Sequence, residues 1–339
     1  MIRGFSSFHG QLARRRVGCA GGQERVSSAL MQAEHFRDFD EFVASVRGVD
    51  CSMMLQNAAR HSWQIQAAEL AGVRVQLGRL GSGNIIEGQS YPDGYLIYLP
   101  LSETCEYMAN GAAIPKNAFL IFEPGSEFSL STKLEHDWCT IFIPADQLCC
   151  HPGLEEGPAP SDPMICRTTR PSRTLADRFR TSVHEILSTA RNHPEFESSL
   201  AANVASAQLI DLGSTIIGCE HGRATSREGR PKLRRKEIIQ RAEEIVEERE
   251  QVSVRELATA TQVSERTLRQ AFYEVFGVGP SRYLQLKKLH EIHGVLRQAE
   301  PGQTTVARVF LEHGACEFGR TAARYRELFG ELPSETLRR

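Results

Sequence analysis

No apolar run in the 339 residues approaches the length of a bilayer span, so membrane insertion is not expected. Cys-x-x-Cys is absent, which removes the commonest zinc-site spacing. The nine cysteines are scattered and odd in number, unlike the dense even spacing of a secreted scaffold. Reduced thiols in a soluble cytoplasmic protein are the expectation, and the adjacent Cys149 and Cys150 could close only a strained ring. Histidine is scarce where a metal centre would need it. Between Trp63 and Pro144 His136 stands alone, so neither metal nor another cofactor is expected, and His136 itself reads as a surface or strand-edge residue. The glycine-rich LGRLGSGN, residues 77–84, lacks the Lys-Ser/Thr of a phosphate cradle and opens no amphipathic helix, so it reads as a turn between strands. A serine nucleophile elbow is also missing. With no catalytic constellation left, the chain is not expected to be an enzyme.

A large charge of one sign is lacking too. The net charge is -2, but it is unevenly spread. From Pro231 to Arg339 there are 19 Lys plus Arg against 16 Glu, giving +3 and leaving -5 for the rest. That asymmetry permits a nucleic-acid partner for the C-terminal part without requiring one.

What is present falls into blocks. The length suits two separate cores. Residues 1–30 hold Arg3, Arg14, Arg15 and Arg16 with a single acid, Glu24, a composition shared with transit peptides. A disordered tail, or sequence upstream of an initiator at Met31, is expected there. Residues 31–150 change texture: from Trp63 to Pro144, short runs of period two are broken by Gly, Pro and Asn. About eight strands in an antiparallel barrel or sandwich follow from this pattern. Residues 151–220 begin with a linker carrying five prolines. Two amphipathic helices then occupy about 173–217. Residues 221–231, basic and nearly free of apolar side chains, read as a tether.

From 232 to 339 the pattern is helical throughout. Ile238, Ile239, Ala242, Ile245 and Val246 form one packing face of its first helix. A short helix containing Leu257 and Ala258 breaks at Thr261–Val263. A second helix is then capped by Ser264 and stopped by Gly277. Its buried stripe is Leu268, Ala271, Phe272, Val275 and Phe276, which leaves Arg266, Thr267, Arg269 and Gln270 outward. Two helices across a three- or four-residue turn, with Arg and Gln on the free face, suit hydrogen bonding to base edges in a major groove. A plain helical hairpin with a solvated Arg face shows the same periodicity.

The pattern recurs. TTVARVFLEHG breaks at Gly314, and EFGRTAARYRELFG ends like the first unit, with Phe329-Gly330 and Pro333-Ser334 answering Phe276-Gly277 and Pro280-Ser281. Joined by the helix that starts at Pro280, two such units could reach successive major grooves on one face of double-stranded DNA, about 34 Å apart.

In the segments VSERTLRQAFYEVFGVGPSRYL and GRTAARYRELFGELPSETLRR, within residues 232–339, the chain resembles the AraC family of bacterial transcription regulators. The resemblance implies seven helices in this domain. It implies DNA reading by Arg266, Thr267, Arg269 and Gln270 in the first unit and by Gly319, Arg320 and Arg324 in the second. It also implies a cupin-like sensing barrel upstream, homodimerising helices, a small-molecule effector and recruitment of RNA polymerase at a promoter, with activation or repression both open. The whole is then an α+β chain: an antiparallel barrel with helices, followed by an all-α domain. Tyr95, Tyr98, Tyr107, Phe119, Phe122 and Trp138 are candidate lining for an effector site, although aromatic strand residues more often serve as plain core. Two positions depart from the family pattern: Ala315 and Thr321 stand where members usually carry Phe. The lost volume predicts a loose second unit unless Phe310 and Phe318 refill it. A degenerate module that binds protein instead of DNA is the alternative reading, and a barrel enzyme fused to a DNA-binding domain is a third.

Overall fold

The computed structural model describes residues 33–102, 105–148, 166–219, 231–249, 252–300 and 302–339. The N-terminal tail, Cys149 and Cys150, most of the proline-rich linker and most of the basic tether lie outside these residues. Residues 31–339 form one compact unit.

The chain enters through β1 (Glu34–Phe36) and α1 (Phe39–Ser45), whose N-cap Asp38 accepts from the amides of Asp40 and Glu41. Long strands β2 (Val49–Leu70) and β3 (Val73–Ser90) follow, joined at Ala71-Gly72, both with positive φ. Next come β4 (Gly94–Pro100), β5 (Tyr107–Ala109), β6 (Ala112–Ala113), β7 (Phe119–Phe122), β8 (Glu127–Thr132), β9 (His136–Pro144), the short α2 (Ala145–Leu148) and β10 (Cys166–Thr169). All pairings are antiparallel, in the order β10-β7-β4-β9-β3-β8-β5-β6, with β2 on β3 and β1 on β2. The first half of β3 pairs with β9 and the second half with β8, so the sheet curls around that strand. The expected antiparallel barrel or sandwich is a half-barrel of ten strands where about eight were expected, and among the described residues no pairing joins the two ends of its path.

LGRLGSGN is not a turn. It lies wholly inside β3, because its glycines serve close approach. A Cβ on Gly78 would sit 2.3 Å from Trp138 Cε2, and one on Gly81 would sit 2.2 Å from the Arg60 carbonyl. Glycine-rich composition signals backbone freedom or absence of side-chain volume, and here the second applies.

The outer face of the sheet (Val73, Val75, Ile97, Phe119, Ile121, Ile141, Ile143) packs against α3 (Arg173–Asn192) and α4 (Leu200–Gly218). Ser172 and Ser199 cap the two helices. In length and composition α4 alone among the described helices suits a bilayer, which corrects the expectation of no such run. Its Ala202, Leu209, Leu212, Ile216 and Ile217 are nevertheless buried in the protein core.

The helical domain holds the seven helices expected: α5 (Pro231–Glu248), α6 (Val254–Ala260), α7 (Glu265–Phe276), α8 (Pro280–Gln298), α9 (Val306–Glu312), α10 (Phe318–Phe329) and α11 (Pro333–Thr336). Its core is continuous with the inner face of the half-barrel: Trp63, Tyr98, Leu120 and Trp138 belong to the same apolar cluster as Leu268, Phe272, Leu286 and Phe329.

Candidate nucleic-acid interface

Ser253 and Glu256 form a reciprocal capping box that starts α6, and the turn after it closes through Val263 N–H donating to Ala258 O at 3.0 Å, with Gln262 at φ 58°. The second unit repeats this closure with Ala315 N–H on Phe310 O at 2.7 Å and Gly314 at φ 61°. Each following helix ends in a left-handed glycine, Gly277 at φ 71° and Gly330 at φ 80°. The sequence repeat is therefore a repeat of backbone geometry.

On α7, Leu268, Ala271, Phe272 and Phe276 are buried, and Arg266, Thr267, Arg269 and Gln270 are exposed together on the opposite face. The Thr267 hydroxyl lies 2.9 Å from the Ser264 cap. Arg269 reaches Glu265 at 2.7 Å, and Gln270 donates to Glu274 at 2.6 Å. Such exposed pairs contribute little energy, so both side chains can exchange these partners for a ligand. Tyr273, 56% exposed, extends the stripe by one turn. Its i+4 spacing from Arg269 was the signal that sequence reading passed over.

On α10, Gly319, Arg320 and Arg324 are exposed, with Arg320 held by Glu317 at 2.7 Å. Nothing lies within 4 Å of a Cβ built on Gly319, so the start of this helix is open. Behind that face Val309, Phe310, Tyr325, Leu328 and Phe329 are buried. Ala315 is buried, and Phe318 meets Phe310 edge-on at 5.8 Å. His293 of α8 stacks on Phe329 at 4.2 Å, while the Tyr325 hydroxyl lies 2.6 Å from His293 Nδ1 and 2.8 Å from Thr336 Oγ1. The rings of this unit thus pack on one another and on an imidazole of the neighbouring helix, a partner that pattern matching within the unit could not reveal.

The candidate lining residues divide between two faces. Tyr98, Tyr107, Phe122 and Trp138 belong to the inner face, with Tyr98 stacked on Trp138 at 6.2 Å. Phe119 and Tyr95 belong to the outer one, where Phe119 packs edge-on against Phe179 of α3 at 5.2 Å. Strand alternation puts odd and even positions on opposite sides, so these two do not line the interior.

His136 is 2% exposed and faces inward, not to the surface, since it shares the face of Trp138 on β9. Its Nδ1 lies 3.1 Å from the carbonyls of Ser82 and Leu134, and burial lowers its pKa to about 4. The imidazole is therefore neutral, with Nδ1–H the donor. Trp63 Nε1 donates to Ser82 Oγ at 3.0 Å, and Ser82 Oγ lies 2.8 Å from Asn84 Oδ1. Buried polar residues thus sit among aromatic rings. Among the described residues no group of three or more His, Cys, Asp or Glu could hold a metal.

A family model described as a helix-turn-helix domain matches residues 257–339. The chain is similar to the "XylDLEGF operon transcriptional activator" of Pseudomonas putida, 30% identical over 148 residues, 44% of this chain and 43% of that protein. It is similar also to "XylDLEGF operon transcriptional activator 2" of the same organism, 34% identical over 110 residues, 32% of this chain and 68% of that protein. The match thus spans less than half the length of the first relative. Among solved structures, the AraC-like transcriptional activator CuxR aligns at 12% identity over 78% of this chain and 96% of that chain, with a TM-score of 0.42.

Proposed function

Because this chain belongs to the AraC family of transcription regulators, we propose that it binds double-stranded DNA sequence-specifically, placing α7 and α10 in successive major grooves at a promoter. The observation that carries the reading is the pairing of two units with the same turn closure, both presenting an exposed Arg-bearing face clear of the half-barrel. Arg266, Arg269 and Gln270 act as donors to base edges in the first groove, and Arg320 and Arg324 in the second. Thr267 and the open start of α10 at Gly319 approach phosphates. Phosphate neutralisation by this set makes affinity fall with salt.

The half-barrel is the sensing part. A small molecule held by its aromatic inner face, with Tyr98, Tyr107, Phe122 and Trp138 as walls, shifts the balance between arrangements of the two parts through its different affinity for them. Homodimerisation through the α3 and α4 layer, where Leu200 and Val204 are 79% and 65% exposed, would bring two copies to one promoter and position them for RNA polymerase in the cytoplasm. This is a binding cycle without a chemical step.

The test is selection from a genomic DNA library by the purified full chain, with Arg269→Ala in parallel. A preferred bipartite sequence retained by wild type and lost by the variant supports the reading. Retention of no preferred sequence, with or without small-molecule extracts, overturns it.

A further inference from the structure

One segment of the half-barrel touches both helix-turn-helix units at equivalent places. Strand β2 carries two irregularities in its register with β3, between Leu55 and Asn57 and between Ala58 and Trp63. The ridge they create, residues 55–61, is pinned on its own side: Asn57 Nδ2 donates to Lys133 O at 2.6 Å, and Gly83 N–H donates to Asn57 Oδ1 at 3.1 Å. Its other side meets the helical domain.

At the first unit the buried amide of Gln56 donates from Nε2 to Phe276 O at 3.1 Å, the last carbonyl of α7. Gly277, just beyond, faces Ser131 and Lys133 of the barrel at 3.4 and 3.5 Å from a built Cβ. At the second unit the His61 ring lies against Gly330, the corresponding cap of α10. A Cβ there would sit 2.7 Å from His61 Cγ, so only glycine admits the contact as well as the φ of 80°. Between the two, α8 lies along the same ridge. Arg282 donates from Nη2 to Gln56 O at 3.0 Å, and Leu55 N–H donates to His290 Nε2 at 2.9 Å.

The exposed ends of α7 and α10 carry the candidate DNA-reading residues, and the opposite ends of both rest on this one pinned ridge. We propose that residues 55–61 of the half-barrel set the separation of the two recognition helices, with Gln56 and His61 as positioning residues that act through Phe276 and Gly330. The proposal rests on the two-groove reading above. One base pair inserted between half-sites moves them apart by about 3.4 Å and rotates them by about 35°. Hydrogen bonds of about 3 Å cannot stretch that far, so a docked ridge makes the protein intolerant of spacing.

The experiment measures binding of the full chain to its selected bipartite site and to versions with one base pair added or removed between the half-sites. Wild type is expected to lose on the order of tenfold or more on each change, because buried docking contacts must break. Gln56→Leu combined with His61→Ala is expected to lose about threefold or less on the same changes, with affinity for DNA bearing a single half-site kept within about twofold of wild type. The half-buried His61→Ala alone, expected to fall between these limits, serves if the double variant does not fold. Equal spacing dependence in wild type and variants overturns the positioning role alone, as does a uniform loss on all DNAs including the single half-site. Failure of wild type to prefer any bipartite site overturns the two-groove reading and the positioning role with it.

Discussion

Acidification should weaken this protein through His136 by an amount that can be worked out. The imidazole is neutral in the folded chain, with a pKa lowered by burial from 6.5 to about 4. In the unfolded chain it titrates near its ordinary value, so below pH 6.5 the unfolded state binds a proton that the folded state refuses. The stability is present above pH 6.5 and is lost as pH falls toward 4. The full shift corresponds to about 3 kcal/mol, and about 2 kcal/mol of it should be gone by pH 5. Other groups titrate nearby. Burial puts His290 at about 4 as well, which adds loss of the same sign. Burial raises both Glu87 and Glu243, and the neighbouring Glu243 raises Glu87 further, so their effect runs the other way and favours the folded chain as pH falls. The measurement must therefore be a difference. Urea unfolding of wild type and His136→Leu between pH 8 and pH 5 isolates the contribution, since the variant's lost bonds to Ser82 O and Leu134 O cost the same at each pH. The stability of wild type relative to the variant should shrink by about 2 kcal/mol across that range. A difference that stays flat within about 0.5 kcal/mol would show that His136 finds solvent or a charge partner, and would refute its placement in the interior.

Three further outcomes are expected. Arg269→Ala should cost about 1–3 kcal/mol at the preferred DNA site and relax selectivity there in a gel-shift competition, whereas an equal loss on every sequence would assign Arg269 to phosphate only. Gly78→Ala should destabilise the half-barrel by about 2 kcal/mol or more by thermal unfolding, because its methyl would overlap Trp138, and a neutral result would mean that the indole does not lie on that strand. Arg297 bridges Asp38 at 2.8 Å and Asp40 at 2.7 Å but is partly exposed. A double-mutant cycle of Arg297→Ala with Asp40→Asn should therefore give a coupling below about 1 kcal/mol in unfolding, and a coupling above 2 kcal/mol would mark that pair as a principal link between the two domains.

The helical domain was readable because its signals are local. Ser264, Gly277 and Gly330 cap helices through bonds to residues a few positions away, and Leu268, Phe272 and Phe276 follow the helical period. Such constraints act within one or two turns, so they are written into short stretches of chain. The exposed face of α7 followed directly, since whatever does not pack inward must face out. The half-barrel was readable only in class. Alternation announced strands, but whether a glycine marks a turn or a place where Trp138 leans on the backbone depends on a strand some sixty residues away.

The positions of His136, Phe119 and the ridge at Gln56 and His61 lay beyond any local pattern. His136 is inward because β9 pairs with β3 in the register that sets His136 opposite Leu80, and Phe119 is outward because α3 covers its side of the sheet. Gln56 meets Phe276 across 220 residues of chain, and Leu55 meets His290 across 235. Periodicity and caps thus decided which elements exist and which faces they hide. Partners at such separations are chosen by the packing of whole elements against one another, so the fit of the half-barrel to its helical domain emerged only from the folded chain.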